Sequence, residues 1–432
     1  MPKPPPDRVP GTSGSTWLDA PHSEWAVWHL DELAPTVPVS RAEVPRALPA
    51  GSRPSGSMPV DEIRLTRYDG SEGSARDVLD DTDTDAFLVV HDGALVHEEY
   101  GHIGAESGRH AVLSITKSVV SCVAAILAER GELDLSAPVR TYVPELAESG
   151  YADATARNLL DMRSGVRFVE HYTDPDSDIN ELDRRLVDVG LRGYLPTLVQ
   201  DRPHGGDFWY RSSETDVLGW VCETAAGTPM QRLMSDLVWQ PIGAEYDAYL
   251  SCDATGMAIH DGGLAASPRD LARFGLMLLD GGTVPDPAAG PDATRTVVPP
   301  RWLRDSWGVD SDIRSAFAAS GTELAYPGGW YRNQFWFRPS PNGDVLLCRG
   351  IHGQLIYVGR RTRTVCVKVS HWPMPVANER TQDTLRMCDA VAGMLASGGR
   401  HGTDRAEHGP PGVAAGTGRG GPSTRHHTSR MF

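Results

Sequence analysis

Hydrophobic positions repeat with two different periods along this chain of 432 residues. The apolar runs at 86–91 and 94–100, joined by the turn pair Asp92-Gly93, predict a β-hairpin. Later apolar runs predict strands at 334–338, 344–348, 355–358 and 364–369. A helical period predicts helices at 114–130, 155–163, 181–198, 214–227, 267–280 and 377–396.

Strands near both ends of the chain, with helices between them, indicate the α+β class. The pattern predicts one antiparallel sheet built from both chain ends, flanked by helices and carrying a mostly helical inserted lobe. This main unit is expected to span residues 61–397.

The two ends of the chain differ in composition from this unit. Residues 1–60 are rich in Pro, Ser and Gly but include Trp17, Trp25 and Trp28, which predicts an extension that docks on the main body. Residues 398–432 contain almost no large apolar side chains, so this tail is expected to be disordered because burial cannot offset its ordering entropy.

Charge narrows the partners that the chain can have. The sequence has 41 Lys and Arg against 57 Asp and Glu, a formal net charge of −16. Such a surface repels polyanions, so neither a nucleic-acid nor a membrane partner is expected. The sequence does not settle the oligomeric state, and a homodimer stays open.

The amino terminus lacks the apolar segment of a secretory signal, and no run of about 18 apolar residues could span a bilayer. A cytoplasmic location is therefore expected; the alternative is a wrongly assigned start codon that hides a signal. The six cysteines are far apart and lack the spacing of zinc sites, so they are expected to be free and mostly buried, with no metal or cofactor.

The candidate chemistry starts at Ser114 and Lys117, which open the predicted helix at 114–130. Residues three apart share one face of a helix, so the lysine ammonium is expected beside the serine hydroxyl. A lysine in a low-dielectric position is expected to lose affinity for its proton and to accept one from the serine. Alone the pattern is weak, because serine before a helix is usually only an N-cap.

A Ser-Lys hydrolase also needs a second group that handles protons, and an oxyanion hole. Tyr210 lies just ahead of the predicted helix at 214–227, with Ser212 two residues later. A glycine-bearing segment at 349–354 leads into a late strand. Both requirements thus have candidates downstream of Ser114.

With these three motifs, residues 85–395 resemble the serine β-lactamase and penicillin-binding-protein superfamily. Framework segments at 158–165, 262–264 and 267–274 extend the likeness. Within the superfamily, the chain is similar to the class C β-lactamase and esterase branch that includes the 6-aminohexanoate-dimer (nylon oligomer) hydrolases. The resemblance implies an acyl-enzyme mechanism.

The resemblance also implies roles for individual residues. Ser114 and Lys117 correspond to the nucleophile and its lysine, while Tyr210 shares the proton transfer and then protonates the leaving group. The backbone N–H groups of Ser114 and Gln354 correspond to the oxyanion hole. Ser212 corresponds to the last residue of the second motif.

The third motif corresponds to Ile351-His352-Gly353. His352 is expected either to contact substrate or simply to pack, and Gly353 is expected to permit close approach of a substrate backbone or a bulge. Ile351 stands where a β-lactamase has the lysine that pairs with the antibiotic carboxylate. This departure weakens the β-lactamase interpretation.

The loop at 170–177 resembles the pocket loop of the nylon-oligomer hydrolases. If the likeness holds, Tyr172 assists C–N cleavage and an acid such as Asp178 binds a substrate ammonium; the alternative is an exposed polar loop. The predicted function is a serine hydrolase of small carboxylic esters and linear amides, without a cofactor. The alternatives are a β-lactamase or D-amino-acid peptidase, and a non-catalytic binding or sensor protein of the same fold.

Overall fold

The computed structural model describes residues 17–51, 58–290 and 292–398. Its strands are β1 (Thr36–Val39), β2 (Arg64–Thr66), β3 (Glu72–Ser74), β4 (Thr84–His91), β5 (Ala94–Tyr100), β6 (His110–Ala111), β7 (Ala248–Ser251), β8 (Leu264–Ala266), β9 (Thr283–Pro285), β10 (Thr294–Thr296), β11 (Trp330–Arg332), β12 (Phe335–Arg338), β13 (Val345–Gly350), β14 (Gln354–Gly359) and β15 (Thr364–Ser370).

The helices are α1 (Ser23–Ala26), α2 (Leu30–Leu33), α3 (Ala75–Asp81), α4 (Ile115–Glu129), α5 (Ala156–Leu160), α6 (Asp178–Arg185), α7 (Gly190–Tyr194), α8 (Ser212–Ala226), α9 (Met230–Met234), α10 (Pro268–Leu279), α11 (Pro300–Trp307), α12 (Ser311–Ala318) and α13 (Asn378–Gly398). A π-helical turn covers Ser235–Trp239, and a 3-10 turn covers Ile351–Gly353.

The main sheet has the strand order β11-β12-β13-β14-β15-β4-β5, antiparallel throughout. The late strand β15 lies beside the early hairpin strand β4, with Lys368 opposite Phe87. This pairing confirms the prediction of one antiparallel sheet built from both chain ends. At the hairpin turn, Asp92 and Gly93 both have positive φ, as a two-residue type I′ turn requires.

Each face of this sheet carries its own hydrophobic core, because side chains alternate along a strand. On β4, Leu88 and Val90 join the core that includes α4 and α10, whereas Phe87 and Val89 join the core beneath α3 and α13. The sheet therefore lies between two helical layers, as expected for the α+β class.

A second sheet, ordered β1-β7-β8-β6, connects the amino-terminal segment to the inserted lobe. Strand β1 pairs with β7, and Trp25 and Trp28 are buried at 4% and 7% exposure. In the same sheet β6 pairs with β8, with Ala111 opposite Ala265. That pairing brings the start of α4 next to the loop before β8.

The prediction of one continuous helix at 181–198 is wrong, because the structure has two shorter helices here, α6 and α7. Gly190 has a φ of +66°, and the N–H of Leu191 donates to Asp253 Oδ2 at 2.7 Å. A Cβ at Gly190 would lie 2.5 Å from that same oxygen. The Asp253 carboxylate, which is far away along the chain, thus holds the backbone at Gly190 in a non-helical conformation.

The six cysteines are free and buried. Across the three described ranges, no helix has both the length and the apolar character needed to cross a bilayer. The tail predicted to be disordered lies, beyond Gly398, outside the described residues, as do residues 1–16 of the predicted extension.

Candidate active site

Ser114 lies directly before α4, at the foot of a backbone turn that includes Leu113 with a φ of +48°. A branched side chain rarely adopts this conformation, which is typical of constrained functional turns. The Ser114 hydroxyl does not cap the helix. Instead it accepts a hydrogen bond from Lys117 Nζ at 2.8 Å. The N-cap alternative therefore does not describe this serine.

Lys117 is buried at 1% exposure, and its ammonium has two partners besides Ser114. Nζ donates to the carbonyl oxygen of Asp261 at 2.7 Å and lies 3.5 Å from Asp261 Oδ2. Asp261 belongs to the loop before β8, and the pairing of β8 with β6 places that loop against α4. These contacts with Asp261 hold the Lys117 amine next to the Ser114 hydroxyl.

The surrounding charges contradict the expectation that Lys117 readily loses its proton. Burial lowers the pKa of Lys117, but the negative charges of Tyr210, when ionised, and of Asp261, Glu170 and Asp216 raise it by more. The net shift is upward. This upward shift favours the ammonium form of Lys117 at neutral pH.

Tyr210 completes the group around the Ser114 hydroxyl. Its phenol lies next to the Ser114 hydroxyl, and its ring centroid lies 5.4 Å from Lys117 Nζ. The ring stacks on Trp336 at 5.2 Å and meets Tyr331 edge-on at 6.0 Å. Burial raises the pKa of Tyr210, while the Lys117 ammonium opposes that shift. The aromatic walls hold the phenol at the hydroxyl.

The predicted oxyanion donors both line the cavity that contains the Ser114 hydroxyl. Gln354 begins β14, and its side chain is tied to β15: Oε1 accepts from the Ser370 N–H at 3.2 Å, and Nε2 donates to the Ser370 carbonyl at 2.7 Å. These bonds fix the strand end that carries the Gln354 N–H. The oxyanion role stays a prediction.

Gly353 and His352 form the tight turn ahead of Gln354. Gly353 has a φ of +90°, and a Cβ there would lie 2.4 Å from the Trp372 ring, so packing alone requires glycine. His352 is buried, and its Nδ1–H donates to the Trp372 carbonyl at 2.6 Å. Of these two residues, only Gly353 lines the cavity, which favours the packing interpretation for His352.

Glu170 joins the pocket loop to the second motif. Its carboxylate accepts hydrogen bonds from the Ser212 N–H, at the start of α8, and from the Tyr172 hydroxyl at 2.8 Å. Burial raises the pKa of Glu170, and the Lys117 charge opposes the rise. Tyr172 lines the cavity as predicted, whereas Ser212 is buried beneath it and positions Glu170 through its backbone.

The predicted ammonium ligand Asp178 does not line the cavity. Its Oδ2 accepts a hydrogen bond from the Val169 N–H at 2.8 Å, so it orders the loop at the start of α6. Asp183, on the same helix, is solvent-exposed and does not line the cavity either. Desolvation and the charges of Asp261 and Glu170 raise the pKa of Asp183 to about 7.

The candidate site opens into a cavity of about 540 Å³. Its walls come from the pocket loop, the segment before α8, the loop after α12, strands β12 to β14, and α13. This volume suits a small or medium-sized organic molecule. Among the described residues, no group of three or more His, Cys, Asp or Glu side chains is placed to hold a metal ion.

Sequence reasoning missed the acidic residues around Lys117. Asp261 is separated from Lys117 by 144 positions, and only the tertiary fold brings them together. Asp216 accepts the N–H groups of His260 at 3.0 Å and Asp261 at 3.1 Å, so it shapes the loop that holds the lysine. No local spacing predicts these contacts, although Gly262 and Gly263 mark the loop as unusual.

Comparison with known proteins agrees with the geometry. Residues 76–342 match the Beta-lactamase family. The chain belongs to that family. It is 34% identical to a 6-aminohexanoate-dimer hydrolase of Paenarthrobacter ureafaciens over 382 residues, which cover 86% of this chain and 92% of that protein. The family match and this relative show that the chain is a serine hydrolase.

Two further relatives extend the comparison. Esterase EstB of Burkholderia gladioli is 29% identical over 205 residues, which cover 41% of this chain and half of that protein. The solved structure of a candidate 6-aminohexanoate-dimer hydrolase from Bacillus anthracis superposes with a TM-score of 0.80 at 25% identity, covering 91% of this chain and 99% of that one. The predicted fold and family are thereby confirmed.

Proposed function

We propose that this serine hydrolase cleaves small carboxylic esters and linear amides through an acyl-enzyme on Ser114. The contact that carries the proposal is the 2.8 Å hydrogen bond from Lys117 Nζ to Ser114 Oγ, with the Tyr210 phenol also at that oxygen. Three groups that can move protons thus meet at the wall of a cavity large enough for substrate.

The charges around Lys117 support a particular division of roles. Because Lys117 stays an ammonium ion, the active form of the enzyme is the one in which Tyr210 has lost its proton and Lys117 has kept its own. The phenolate takes the proton of Ser114 as Oγ bonds to the substrate carbonyl carbon. The resulting phenol then protonates the leaving oxygen or nitrogen. Water attacks the acyl-enzyme, gives its proton to the phenolate, and Ser114 regains a proton as the acid leaves.

The carboxylates of Asp183 and Glu170 favour substrates that carry an ammonium group at one end. Asp183 and Glu170 lie near one another, and the relatives named as 6-aminohexanoate-dimer hydrolases act on a molecule with a terminal ammonium. Neither Asp178 nor Asp183 lines the cavity, but the Asp178 carboxylate already binds the Val169 N–H, whereas Asp183 has no such partner among the described residues and its charge acts on that of Glu170. No cationic side chain stands at Ile351, which disfavours a β-lactam carboxylate at that point.

The test of the reaction is a parallel assay of a short-chain nitrophenyl ester, linear 6-aminohexanoate dimer and a chromogenic cephalosporin. Ser114→Ala is expected to reduce ester and amide turnover by at least about 10³-fold, because it removes the nucleophile. Turnover that survives this change would refute the proposal. Rapid hydrolysis of the cephalosporin without ester cleavage would instead identify a β-lactamase, and inactivity toward every probe would favour the binding-protein alternative.

The ammonium site is tested with the linear dimer and its N-acetylated form, which lacks the cation. Asp183→Asn is expected to reduce the preference for the free dimer about tenfold at pH 8, where Asp183 is ionised. At pH 6 the loss should be smaller, because Asp183 is then largely protonated. Asp178→Asn is the matched control, and a larger effect in that variant would contradict the assignment to Asp183.

A further inference from the structure

Arg349 introduces a positive charge into the wall of the candidate active-site cavity. It lies on β13, is half-buried, and is the single arginine or lysine among the described residues that line this cavity. Its guanidinium carbon lies 5.0 Å from the Tyr326 ring centroid and 5.7 Å from that of Trp336. The two rings restrict the guanidinium without neutralising it.

Within the described part of the chain, no carboxylate forms an ion pair with Arg349 and no group accepts a hydrogen bond from it. Two other arginines do have such partners: the half-buried Arg338 pairs with Asp389 at 2.6 Å, and the buried Arg273 pairs with Asp270 at 2.8 Å. In a chain with a net charge of −16, an unpaired arginine that faces a cavity is set apart from this pattern. Its five N–H donors are available to a ligand.

A second polar group lines the cavity without a partner. Thr384 on α13 is 3% exposed, and its hydroxyl forms no hydrogen bond with any described residue. Gln382 Nε2 donates to the Ala325 carbonyl at 2.8 Å, which joins this part of α13 to the segment that carries Tyr326. Arg349 stacks on Tyr326, so both Arg349 and the stretch of α13 that carries Thr384 are tied to this segment, and both side chains line the cavity.

We propose that Arg349 binds a carboxylate carried by the substrate, with the Thr384 hydroxyl as a further donor. The inference rests on the proposed function and adds a second charged contact to it. A guanidinium recognises a carboxylate through two parallel N–H···O bonds, which orients the ligand as well as holding it. Trp336 contacts both Arg349 and Tyr210, so a substrate bound at Arg349 lies close to the reacting groups.

The test uses pairs of substrates that differ only in this charge. One pair places it on the acyl part: the mono-4-nitrophenyl ester of glutaric acid and the methyl ester of the same compound. The other pair places it on the leaving group: 6-(butanoylamino)hexanoate and its primary amide. For one pair, the ratio of kcat/KM for the anionic over the neutral member is expected to fall about 10- to 100-fold in Arg349→Gln.

Two variants control for charge and for folding. Arg349→Lys should keep part of the ratio, because it keeps the charge but loses the paired geometry. Arg360→Gln removes another arginine that stacks on a tryptophan, Trp307 at 4.9 Å, but does not line the cavity, so the ratio should stay at the wild-type value. Ratios for both substrate pairs that are unchanged in Arg349→Gln would overturn the proposal.

A binding measurement separates this proposal from the hydrolytic one. Glutarate and uncharged glutaramide are titrated by calorimetry into Ser114→Ala and into Ser114→Ala with Arg349→Gln. Glutarate is expected to bind the first protein at least about tenfold more tightly than the second, with no such difference for glutaramide. Equal glutarate affinity in the two proteins refutes the carboxylate site. Failure of hydrolysis in wild type, with glutarate binding intact, refutes only the proposed reaction.

Discussion

Changing Asp261 to Asn tests the assignment of charge in the candidate site. Asp261 Oδ2 lies 3.5 Å from Lys117 Nζ, while the separate contact from Nζ goes to the Asp261 backbone carbonyl at 2.7 Å. The substitution removes the negative charge and keeps the shape and the carbonyl. Asp261 raises the pKa of Lys117 and also that of Tyr210, so both proton holders lose affinity for a proton when it is neutralised.

The size of the effect follows from the distance. Two unit charges about 4 Å apart interact by about 4 kcal/mol at an effective dielectric constant of about 20, equivalent to about 3 pH units on one group. Asp261 is 14% exposed, and solvent reduces this value. The proposed mechanism requires Tyr210 to lose its proton, so activity should rise with pH. Asp261→Asn should move this rise to lower pH by about 1 unit, less than the value for the contact with Lys117, because Asp261 is a minor influence on the pKa of Tyr210.

The assay is the pH dependence of kcat/KM for a neutral nitrophenyl ester between pH 5 and 10. A neutral substrate keeps the profile free of substrate ionisation. Asp92→Asn, in the exposed β4–β5 turn, provides a control that removes one acidic side chain without touching Lys117. A rise that stays in place, or that moves to higher pH, would show that the Asp261 charge does not hold a proton on the Lys117 and Tyr210 pair, and would refute this assignment of charge.

Two stability predictions follow from buried groups outside the reaction. Burial lowers the pKa of Lys368 to about 7, so between about pH 7 and 10 the unfolded chain binds more protons and stability rises by about 1 kcal/mol per pH unit. Urea unfolding of Lys368→Met should lose this contribution, and a slope equal to wild type would contradict it. Gly353→Ala should destabilise by about 2 to 3 kcal/mol, because the new methyl meets Trp372 at positive φ. Gly321→Ala, with open space around it, should change the melting temperature little, and equal losses in both would refute the packing argument.

Local patterns in the sequence were enough to predict the fold and the central contact of the site. Alternating apolar residues define β4, β5 and the late strands, because side chains on a strand alternate between two buried faces. Ser114 and Lys117 lie three residues apart, and helical geometry alone brings their side chains together. Tyr210 was predicted from its place before α8, since a short loop ahead of a helix fixes where a side chain emerges.

Only the tertiary structure decided the charge of the site and the chemistry of its walls. Asp261 reaches Lys117 through the pairing of β6 with β8, and Asp253 divides the predicted helix at 181–198 through one hydrogen bond. Arg349 is set apart by the partners that it lacks, which no sequence pattern records. Secondary structure depends on neighbours along the chain, whereas pKa values and binding depend on neighbours in space, so the sequence predicted the first and the fold determined the second.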